Sequence, residues 1–578
     1  GSGQADVPAN CADHPGTQID NTSDSFDSSG AVIITSAIWT GATDSDWSTA
    51  GNWDINVLPE TTYDLTIPNV ANSPVIGIGT SAQMDDLTVE ASSSLVLLDM
   101  SSAQVDGNFV NNGTVTLNSG ASNSSALLVK GTASGSGTVT YLRGGLVANE
   151  WHVVSSPVVG QSIKEFAENA ANDIRVNTTA SPNRYAIAYY DDSNADGSKW
   201  VYYTATDLAT TALTFEQGRS YAVSRATDGS VTFTGTLETS SVAKSVVASE
   251  WNAIGNPFTA FLPLNENSGD NFIADNSAVM DAAFVAAYVW DNAQGKYVAN
   301  SLVSDASTVA PGEGFFIRTG ASASPISVTL DQDQRLTEAA PVIVSRGITN
   351  TNTTPSIELV ATSNNVSVTT GIKYFSKATK GLDPGYDVGN FGGASFDVYT
   401  HLLEGSIEDF TVQSLPDSGY ETMVVPVGLQ LEENTSVAFS LTSENLPSGV
   451  EVYLEDQEKG SFTRLDNGSN YTITSTSKIS GVGRFYIHTI SQQLSTDDIT
   501  EDITNVKIYT SAKRELTIAG LQTQATVSMY SIAGQEVLST AITSNGSSVI
   551  SLPRSSAGVY IVKLEAGLGS ITKKIILE

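Results

Sequence analysis

Four residues of the segment DDSNADG have the types and spacing of a calcium-binding loop. Asp192, Asn194, Asp196 and Gly197 follow the pattern D-x-N-x-D-G, in which alternate side-chain oxygens surround one ion and the glycine allows a tight turn. The match is incomplete, because Tyr203 stands where such a loop places its bidentate glutamate. An acidic hairpin turn is therefore favoured over a metal site, and calcium is the one cofactor that the sequence suggests.

Histidine and nucleophile patterns give little support to catalysis. His14, His152, His401 and His488 lie far apart in the sequence, and they accompany none of the common zinc-protease, nucleophile-elbow, phosphate-loop or Cys–His motifs. The two carboxylates of a glycosidase are brought together by the fold and have no fixed sequence spacing, so the sequence leaves glycoside hydrolases open as a class. We predict that the protein is not an enzyme.

Aromatic side chains supply the remaining candidate chemistry, which is stacking on sugar rings. Trp200, Tyr202 and Trp290 occur in β-type segments, where core packing or cross-strand pairing is the favoured interpretation. The sequence therefore assigns no ligand-binding residue.

Composition excludes several classes of partner. The 578 residues include 62 acidic and 27 basic side chains, which gives a net charge of -35. A field of that sign repels phosphate backbones and anionic lipid surfaces, so no nucleic-acid partner is expected. The single cysteine, Cys11, forms no intramolecular disulfide, and no apolar run reaches the roughly 18 to 20 residues of a transmembrane helix.

Period-two alternation dominates the chain. Short stretches of Val, Ile, Leu and Tyr are separated by Ser, Thr, Asn and Gly, which predicts an all-β, multi-domain, extracellular protein. The best helix candidate is residues 162–172, with Ser162 as N-cap and Glu165 at the capping-box position. The length of the chain predicts several domains.

The first ordered region is predicted to be a small β-helix, or β-solenoid-like domain, at residues 37–146. Short apolar triplets recur there between small turns, beginning at Leu65, Leu87, Val115, Leu127 and Val139. Such recurring short strands are typical of rungs that stack along one axis. Trp39, Trp47 and Trp53 predict an aromatic cap over this core. Residues 1–36 are polar and acidic, and we interpret them as a linker or the tail of a preceding region.

An internal repeat follows the solenoid. The segment EWHVVSSPV from Glu150 matches EWNAIGNPF from Glu250, and the parallels continue downstream in the same order. We predict two tandem β-sandwich repeats at residues 147–246 and 247–336, with Trp151 and Trp251 as equivalent core residues. Strand and turn signals predict a further antiparallel β-sandwich at residues 337–490, and residues 491–504 form an acidic linker.

Residues 505–578 predict seven short strands of a compact, Ig-like β-sandwich. Three segments carry a resemblance: VSMYSIAGQEV at 527–537, SAGVYIVKLE at 556–565, and the closing KKIILE. In that order and at that place, they resemble the type A C-terminal sorting domain of type IX secretion system substrates of Bacteroidota.

The resemblance implies export and not activity. The partners would be the type IX translocon and outer-membrane carrier proteins, and the location would be secreted or on the cell surface. Gly534 and Gly558 would permit tight turns, and Tyr560 would pack a sheet face. Lys573 and Lys574 would either contact the carrier or act as gatekeepers of an edge strand.

The regions before the sorting domain resemble the cargo that such sorting domains carry in flavobacteria, including large surface adhesins and gliding-associated proteins. A non-enzymatic adhesin or stalk, active in adhesion or gliding motility, is therefore the favoured hypothesis. The alternative is the carbohydrate-binding, non-catalytic tail of a secreted hydrolase, for which surface polysaccharide would be the partner.

Overall fold

The computed structural model describes most of the chain. The described residues are 25–26, 32–194, 197–210, 212–265, 271–291, 294–304, 306–321, 326–333, 335–337, 354–420, 423–466, 468–491, 506–512, 515–521, 524–531, 535–543, 546–553, 558–566 and 569–577. They fall into two compact units, one within residues 1–291 and 297–348 and the other within 292–296 and 349–578. No helix among them is long and apolar enough to cross a membrane.

The predicted all-β fold class is confirmed. The strands of the first region are β1 (Ser25–Phe26), β2 (Val32–Ile33), β3 (Ser36–Ile38), β4 (Asp64–Ile67), β5 (Val75–Ile76), β6 (Ser81–Met84), β7 (Leu87–Val89), β8 (Ser94–Leu97), β9 (Ser102–Val105), β10 (Phe109–Asn111), β11 (Thr114–Asn118), β12 (Ala126–Val129), β13 (Ala133–Ser134) and β14 (Thr138–Leu146).

From β3 to β14 the chain winds as a three-sided parallel solenoid. One face stacks β3, β4, β7, β10 and β13, the second stacks β5, β8, β11 and β14, and the third stacks β6, β9 and β12. The paired residues Leu65, Leu87, Phe109 and Ala133 are 22, 22 and 24 residues apart, which is the length of one coil. Inward positions of successive coils bury aliphatic side chains on one another, so each coil is stable only against its neighbours.

Three tryptophans close the N-terminal end of the solenoid. Trp39, Trp47 and Trp53 are buried, and the ring of Trp53 packs edge-on against Trp39 and Trp47 with centroids 5.2 and 4.9 Å apart. The predicted aromatic cap is therefore confirmed.

Backbone contacts close the same end on two faces. Ile38 donates to Asp54 Oδ1 at 2.8 Å and accepts the Asp54 N–H at 3.0 Å, which occupies the outer edge of β3. On the second face, Val75 of β5 exchanges backbone hydrogen bonds with Ser45 and Trp47. The outer backbone groups of Ile38 and Val75 are thus satisfied within the chain.

In the following region, the described residues form two α-helices and fourteen strands. These are β15 (His152–Ser155), α1 (Ile163–Glu168), β16 (Val176–Asn177), β17 (Arg184–Tyr190), β18 (Trp200–Thr204), β19 (Ser220–Val223), β20 (Gly229–Gly235), β21 (Val242–Val246), β22 (Trp251–Gly255), β23 (Leu262–Pro263), α2 (Phe272–Asn276), β24 (Ala286–Asp291), β25 (Lys296–Ser301), β26 (Thr308–Val309), β27 (Gly314–Arg318) and β28 (Ile326–Leu330). Short 3₁₀ helices lie at Ala50–Asn52, Asp207–Ala209 and Ser277–Val279. Ser162 caps α1 as predicted, although the helix ends at Glu168, before residue 172.

The same pairing order occurs in both segments of the sequence repeat. In the first, β15, β19 and β17 are neighbours, with β16 and β18 pairing β17, and β20 pairs β14. In the second, β22, β27, β24 and β25 are neighbours, and β28 pairs β21. Asn172, which follows α1, and Asn276, the last residue of α2, make equivalent bonds. Each accepts a backbone N–H, from Thr232 at 2.8 Å and from Thr329 at 2.7 Å.

The two repeats meet through a symmetric pair of backbone hydrogen bonds. Ser155 N–H donates to Gly312 O at 3.1 Å, and Gly255 N–H donates to Gly218 O at 3.0 Å. Both acceptors have positive φ, +78° at Gly312 and +74° at Gly218, which favours glycine at these positions. Each repeat thus supplies a glycine carbonyl that accepts a backbone N–H from the other repeat.

The repeats also close the far end of the solenoid on two faces. β20 pairs antiparallel with β14, the last rung of the second face. On the third face, Leu127 of β12 donates its N–H to Thr259 O at 2.7 Å, and Arg335 Nη2 donates to Val129 O at 2.7 Å. Solenoid and repeats therefore form one continuous body.

In the second unit, eleven strands form one sheet. They are β29 (Ser356–Ser363), β30 (Val366–Phe375), β31 (Val388–Gly389), β32 (Asp397–Thr400), β33 (Phe410–Pro416), β34 (Val424–Leu431), β35 (Thr435–Glu444), β36 (Val450–Asp456), β37 (Ser461–Arg464), β38 (Tyr471–Ser475) and β39 (Ile479–Ser491).

This sheet folds over one core. The order is β37-β36-β39-β34-β32-β33-β30-β29-β35-β38, with β31 beside β33. Phe439 of β35 and Phe485 of β39 are distant in that order, yet their ring centroids are 5.0 Å apart across the core. The expected antiparallel arrangement is wrong for β30 and β33, which run parallel because the chain crosses over between them.

The last seven strands are β40 (Lys507–Ala512), β41 (Glu515–Leu521), β42 (Gln524–Ser531), β43 (Glu536–Thr543), β44 (Gly546–Ser551), β45 (Gly558–Ala566) and β46 (Gly569–Leu577). They form a three-stranded sheet, β40-β41-β44, and a four-stranded sheet, β43-β42-β45-β46. Their inward side chains share one apolar core, so the predicted seven-stranded sandwich is confirmed.

Candidate functional site

The final strand, β46, lies at an edge of its sheet. Among the described strands it pairs with β45, from Gly558 opposite Leu577 to Ala566 opposite Gly569. Alternate N–H and C=O groups of an edge strand point away from the sheet. β46 therefore offers backbone groups to which a strand of another protein can add.

Lys573 and Lys574 are both exposed on β46, and they lie on opposite faces. Lys573 is opposite the core residue Val562, so it lies at the rim of the core-facing side. Lys574 is opposite Ile561 and lies on the outer side. An inward-pointing charge hinders unwanted edge pairing, so Lys573 has the position of a gatekeeper. Lys574 points outward, where another protein can contact it.

The other predicted recognition residues have different surroundings. Tyr560 is buried in β45, where it packs in the core of the sandwich. Gly558 begins β45 outside the left-handed region, and an added Cβ would meet no described atom within 4 Å, so no tight turn there depends on glycine. Gly534 lies outside the described residues.

Asp192, the first residue of the predicted calcium loop, is buried between the two repeats. Its Oδ1 accepts the Tyr190 hydroxyl at 2.7 Å and is paired with Lys199. Its Oδ2 accepts the backbone N–H of Trp251 at 2.8 Å. Asn194 lies in the adjoining turn and Asp196 lies outside the described residues, so calcium binding stays a prediction.

Glu250 is the neighbour of Asp192 that sequence reasoning missed. Burial raises the pKa of Asp192, but hydrogen bonds from Glu250, Lys199 and Tyr190 outweigh it and lower the pKa to about 2. The pKa of Glu250 is raised, first because its side chain is hydrogen-bonded to Asp192. No spacing rule joins these positions, although the repeat that opens at Glu250 was a usable signal.

The prediction that Trp151 is a core residue is wrong. Its side chain is 43% exposed and its ring packs edge-on against Tyr202 with centroids 5.6 Å apart. Trp151 lies just before β15, an edge strand of its sheet, where fewer neighbours cover a side chain than in a central strand. Its counterpart Trp251 is half-buried against Tyr288, with centroids 4.9 Å apart.

Of the remaining aromatic candidates, Trp200 lies where the repeats meet and Trp290 lies within the second repeat. Trp200 is opposite Tyr190 on the neighbouring strand, and both rings pack against the buried Phe316 of the second repeat. Trp290 packs against Tyr297 with centroids 5.1 Å apart and remains 40% exposed. Exposed aromatic area is therefore present on both repeats.

The described histidines serve separate local contacts. His152 Nε2 accepts the N–H of Val147 at 2.9 Å, His401 pairs with Asp409 at 2.8 Å, and His488 pairs with Glu455 at 2.7 Å. His14 lies outside the described residues. Within the part of the chain that the structure describes, no three His, Cys, Asp or Glu side chains are grouped so that they could hold a metal ion.

Comparisons with known proteins divide the chain in two. The family model described as Domain of unknown function (DUF8693) matches residues 38–488. The model described as Secretion system C-terminal sorting domain matches residues 505–578. No curated protein matches the chain.

Two solved structures show distant likeness. Tp47, the 47-kilodalton lipoprotein of Treponema pallidum, is 9% identical over 50% of this chain and 76% of its own, with a TM-score of 0.11. The BSP domain of a biofilm associated protein is 9% identical over 76% of this chain and 95% of its own, with a TM-score of 0.16.

Proposed function

Because the chain belongs to the family described as Domain of unknown function (DUF8693) and ends in a type IX secretion sorting domain, we propose that it is a non-enzymatic surface adhesin or stalk. The sorting domain is the observation that carries this proposal, since it implies export to the cell surface or the medium. Adhesion during gliding motility is the setting that we propose.

The architecture of the first unit supports a stalk. The solenoid is closed by its own backbone contacts at one end and is joined to the repeats at the other. A stack of this kind is stiff, because each coil is bonded to the next along its whole length. Such a body can hold a binding surface away from the membrane.

The test compares two versions of the chain in a host with type IX secretion. Cells that produce the full chain should show it by surface antibody labelling and should attach better to a solid surface. Cells that produce a chain ending at residue 504 should show neither effect, with the protein retained inside. Normal surface labelling of the truncated chain would contradict export by the sorting domain. Unchanged attachment with the full chain on the surface would contradict adhesion.

One observation favours the alternative, a carbohydrate-binding tail of a secreted hydrolase. Trp151 and Trp290 expose large ring areas, which can stack on sugars. On this alternative, Trp151→Ala or Trp290→Ala should weaken retention on insoluble polysaccharide, whereas Tyr386→Ala, which removes an exposed ring from the other unit, should not. Equal retention of all three variants would remove the support for it.

A further inference from the structure

The outer face of the three-stranded sheet in the sorting domain is covered over β41 and exposed over β44. In β41, Leu516 and Ile518 point into the core. Thr517 and Ala519 point the other way, yet they are only 1% and 3% exposed. Val549, opposite Thr517 on β44, is 56% exposed on the same outer face. Something therefore packs on β41 and leaves β44 open.

Tyr509 shows what lies against this face. It is opposite Thr517, on the outer side of β40, and its neighbour Ile508 is in the core. Burial raises the pKa of Tyr509 to about 12, with further contributions from the charges of Glu455 and Tyr486. These two residues belong to β36 and β39 of the preceding domain, and residues 349–578 form one compact unit.

Glu455 and Tyr486 lie on the outer side of β36 and β39. Glu455 is opposite Tyr486, and both positions alternate with core residues such as Leu454 and Phe485. A carboxylate on an open sheet face would be in water, but Glu455 is only 2% exposed. A second covered surface is thus present on the preceding domain.

Glu455 brings an unpaired acceptor into this contact. Its Oε2 accepts from His488 Nε2 at 2.7 Å, while Oε1 is buried and has no hydrogen-bond partner among the described residues. A buried acceptor without a donor is destabilising. The covered state is therefore weaker than a fully paired interface would be.

We propose that the sorting domain docks on the preceding domain through Tyr509, Thr517 and Ala519 of β40 and β41, against Glu455 and Tyr486. The docked surface belongs to the three-stranded sheet, whereas the β46 edge belongs to the other sheet. Docking therefore holds the export signal in a fixed place on folded cargo while Lys573 and Lys574 stay exposed. This inference goes beyond adhesion and does not depend on it.

The experiment uses the full chain and two arginine variants of one sheet face. Thr517→Arg places a charge in the covered part, and Val549→Arg places the same charge in the open part. Hydroxyl-radical footprinting with mass spectrometry measures the labelling rates of Tyr509 and Tyr486. We expect a several-fold rise at both tyrosines in Thr517→Arg and no change in Val549→Arg. Equal labelling in wild type and both variants would overturn the proposal.

A folding control separates undocking from unfolding. Hydrogen exchange of β42 and β45 should stay slow in Thr517→Arg, because these strands lie in the other sheet. If that protection is lost, the variant Tyr509→Glu on the edge strand β40 is used in place of Thr517→Arg, and the labelling rate of Tyr486 is measured. Unchanged Tyr486 labelling in a folded Tyr509→Glu variant would also overturn the proposal.

Discussion

The carboxylate of Asp192 in the first repeat accepts the backbone N–H of Trp251 in the second repeat, with Oδ2 2.8 Å from the nitrogen. The same carboxylate holds Tyr190 and Lys199 of its own repeat. Asp192 thus joins an acidic hairpin to the first strand of the sister repeat. The loop that resembles a calcium site is an inter-repeat contact.

Asp192→Ala should lower the free energy of unfolding of the first unit. The variant removes one acceptor of the Trp251 N–H and of Lys199. Loss of charged hydrogen bonds of this kind costs about 2 to 3 kcal/mol. The matched control is Asp191→Ala, whose carboxylate bonds only within its own turn, to Ser193, among the described contacts. Urea unfolding measures both variants, and equal losses would contradict a special role for Asp192.

The contribution of Asp192 should disappear in acid. Its pKa in the folded protein is about 2, below the ordinary value of 3.8, so the folded state favours the ionised form. The stabilisation is complete above about pH 4 and is lost as the pH falls towards 2. The difference in unfolding free energy between wild type and Asp192→Ala should therefore shrink over that interval. A difference that stays constant would contradict the assigned pKa.

Calcium should leave the melting temperature of the first unit unchanged. Lys199 already neutralises Asp192, and protein donors occupy both of its oxygens. An ion that bound only the native state would raise the melting temperature by linkage. Calorimetry with excess calcium and with chelator measures this. A rise with calcium that Asp192→Ala abolishes would instead establish the predicted metal loop.

Asp387 should make the second unit less stable as the pH rises. It is buried, and its two oxygens accept backbone N–H groups of Ser414 and Asp383, each at 2.6 Å. Burial is the main cause that raises its pKa to about 7, above the ordinary 3.8, so the folded state binds the proton more tightly. The unfolding free energy should fall by about 2 to 4 kcal/mol between pH 4 and pH 7.

The comparison for Asp387 uses two asparagine variants. Asp387→Asn should flatten the dependence of unfolding free energy on pH in this interval. Asp417→Asn removes an exposed carboxyl from the same domain and serves as the control. Identical slopes for the two variants would show that Asp387 is not the group responsible.

Lys574→Glu should reduce export of a fluorescent protein fused to residues 491–578. Lys574 is displayed on the outer side of the edge strand, where a carrier can contact it, and a desolvated charge contact is worth about 1 to 2 kcal/mol. Val549→Glu adds the same charge at an exposed site elsewhere in the domain and should be exported normally. Full export of Lys574→Glu and Lys573→Glu would place recognition away from this strand.

Deletion of residues 573–578 is a less specific test of the same strand. It removes Ile575 and Leu577, which are buried in the core of the sorting domain. Loss of export would then report unfolding as readily as lost recognition. The charge substitutions separate the two causes.

Local repetition in the sequence was sufficient to predict much of this fold. The apolar triplets predicted the stacked coils, the three early tryptophans predicted the cap, and the last strands predicted the seven-stranded sandwich. In each case the pattern lies within a short stretch of chain, and the contacts follow from it. Alternation identifies the faces of a strand, and neighbouring turns fix which strands meet.

Contacts between distant segments could not be predicted in this way. Alternation predicts on which side of a strand a side chain lies, as for Thr517, but it does not show what covers that side. Trp151 was predicted to be in the core and is exposed, and Thr517, on the outer face of β41, is buried. Glu250 meets Asp192 only because two repeats pack together. The run LTIA at 516–519 has small or apolar residues on both faces, and that was the available signal of double-sided burial.

The backbone contacts that cap the solenoid affect whether one molecule can add to the next. A stack of parallel rungs with free ends can grow into a fibre, because the next molecule adds its first rung to the last one. Here Asp54 and Ser45 occupy the outer groups at one end, and β20 and Thr259 occupy them at the other, on two of the three faces at each end. Addition of a second molecule is therefore blocked at these capped faces of the solenoid. If the protein is the adhesin proposed above, the number of contacts would be set by the number of copies that a cell displays.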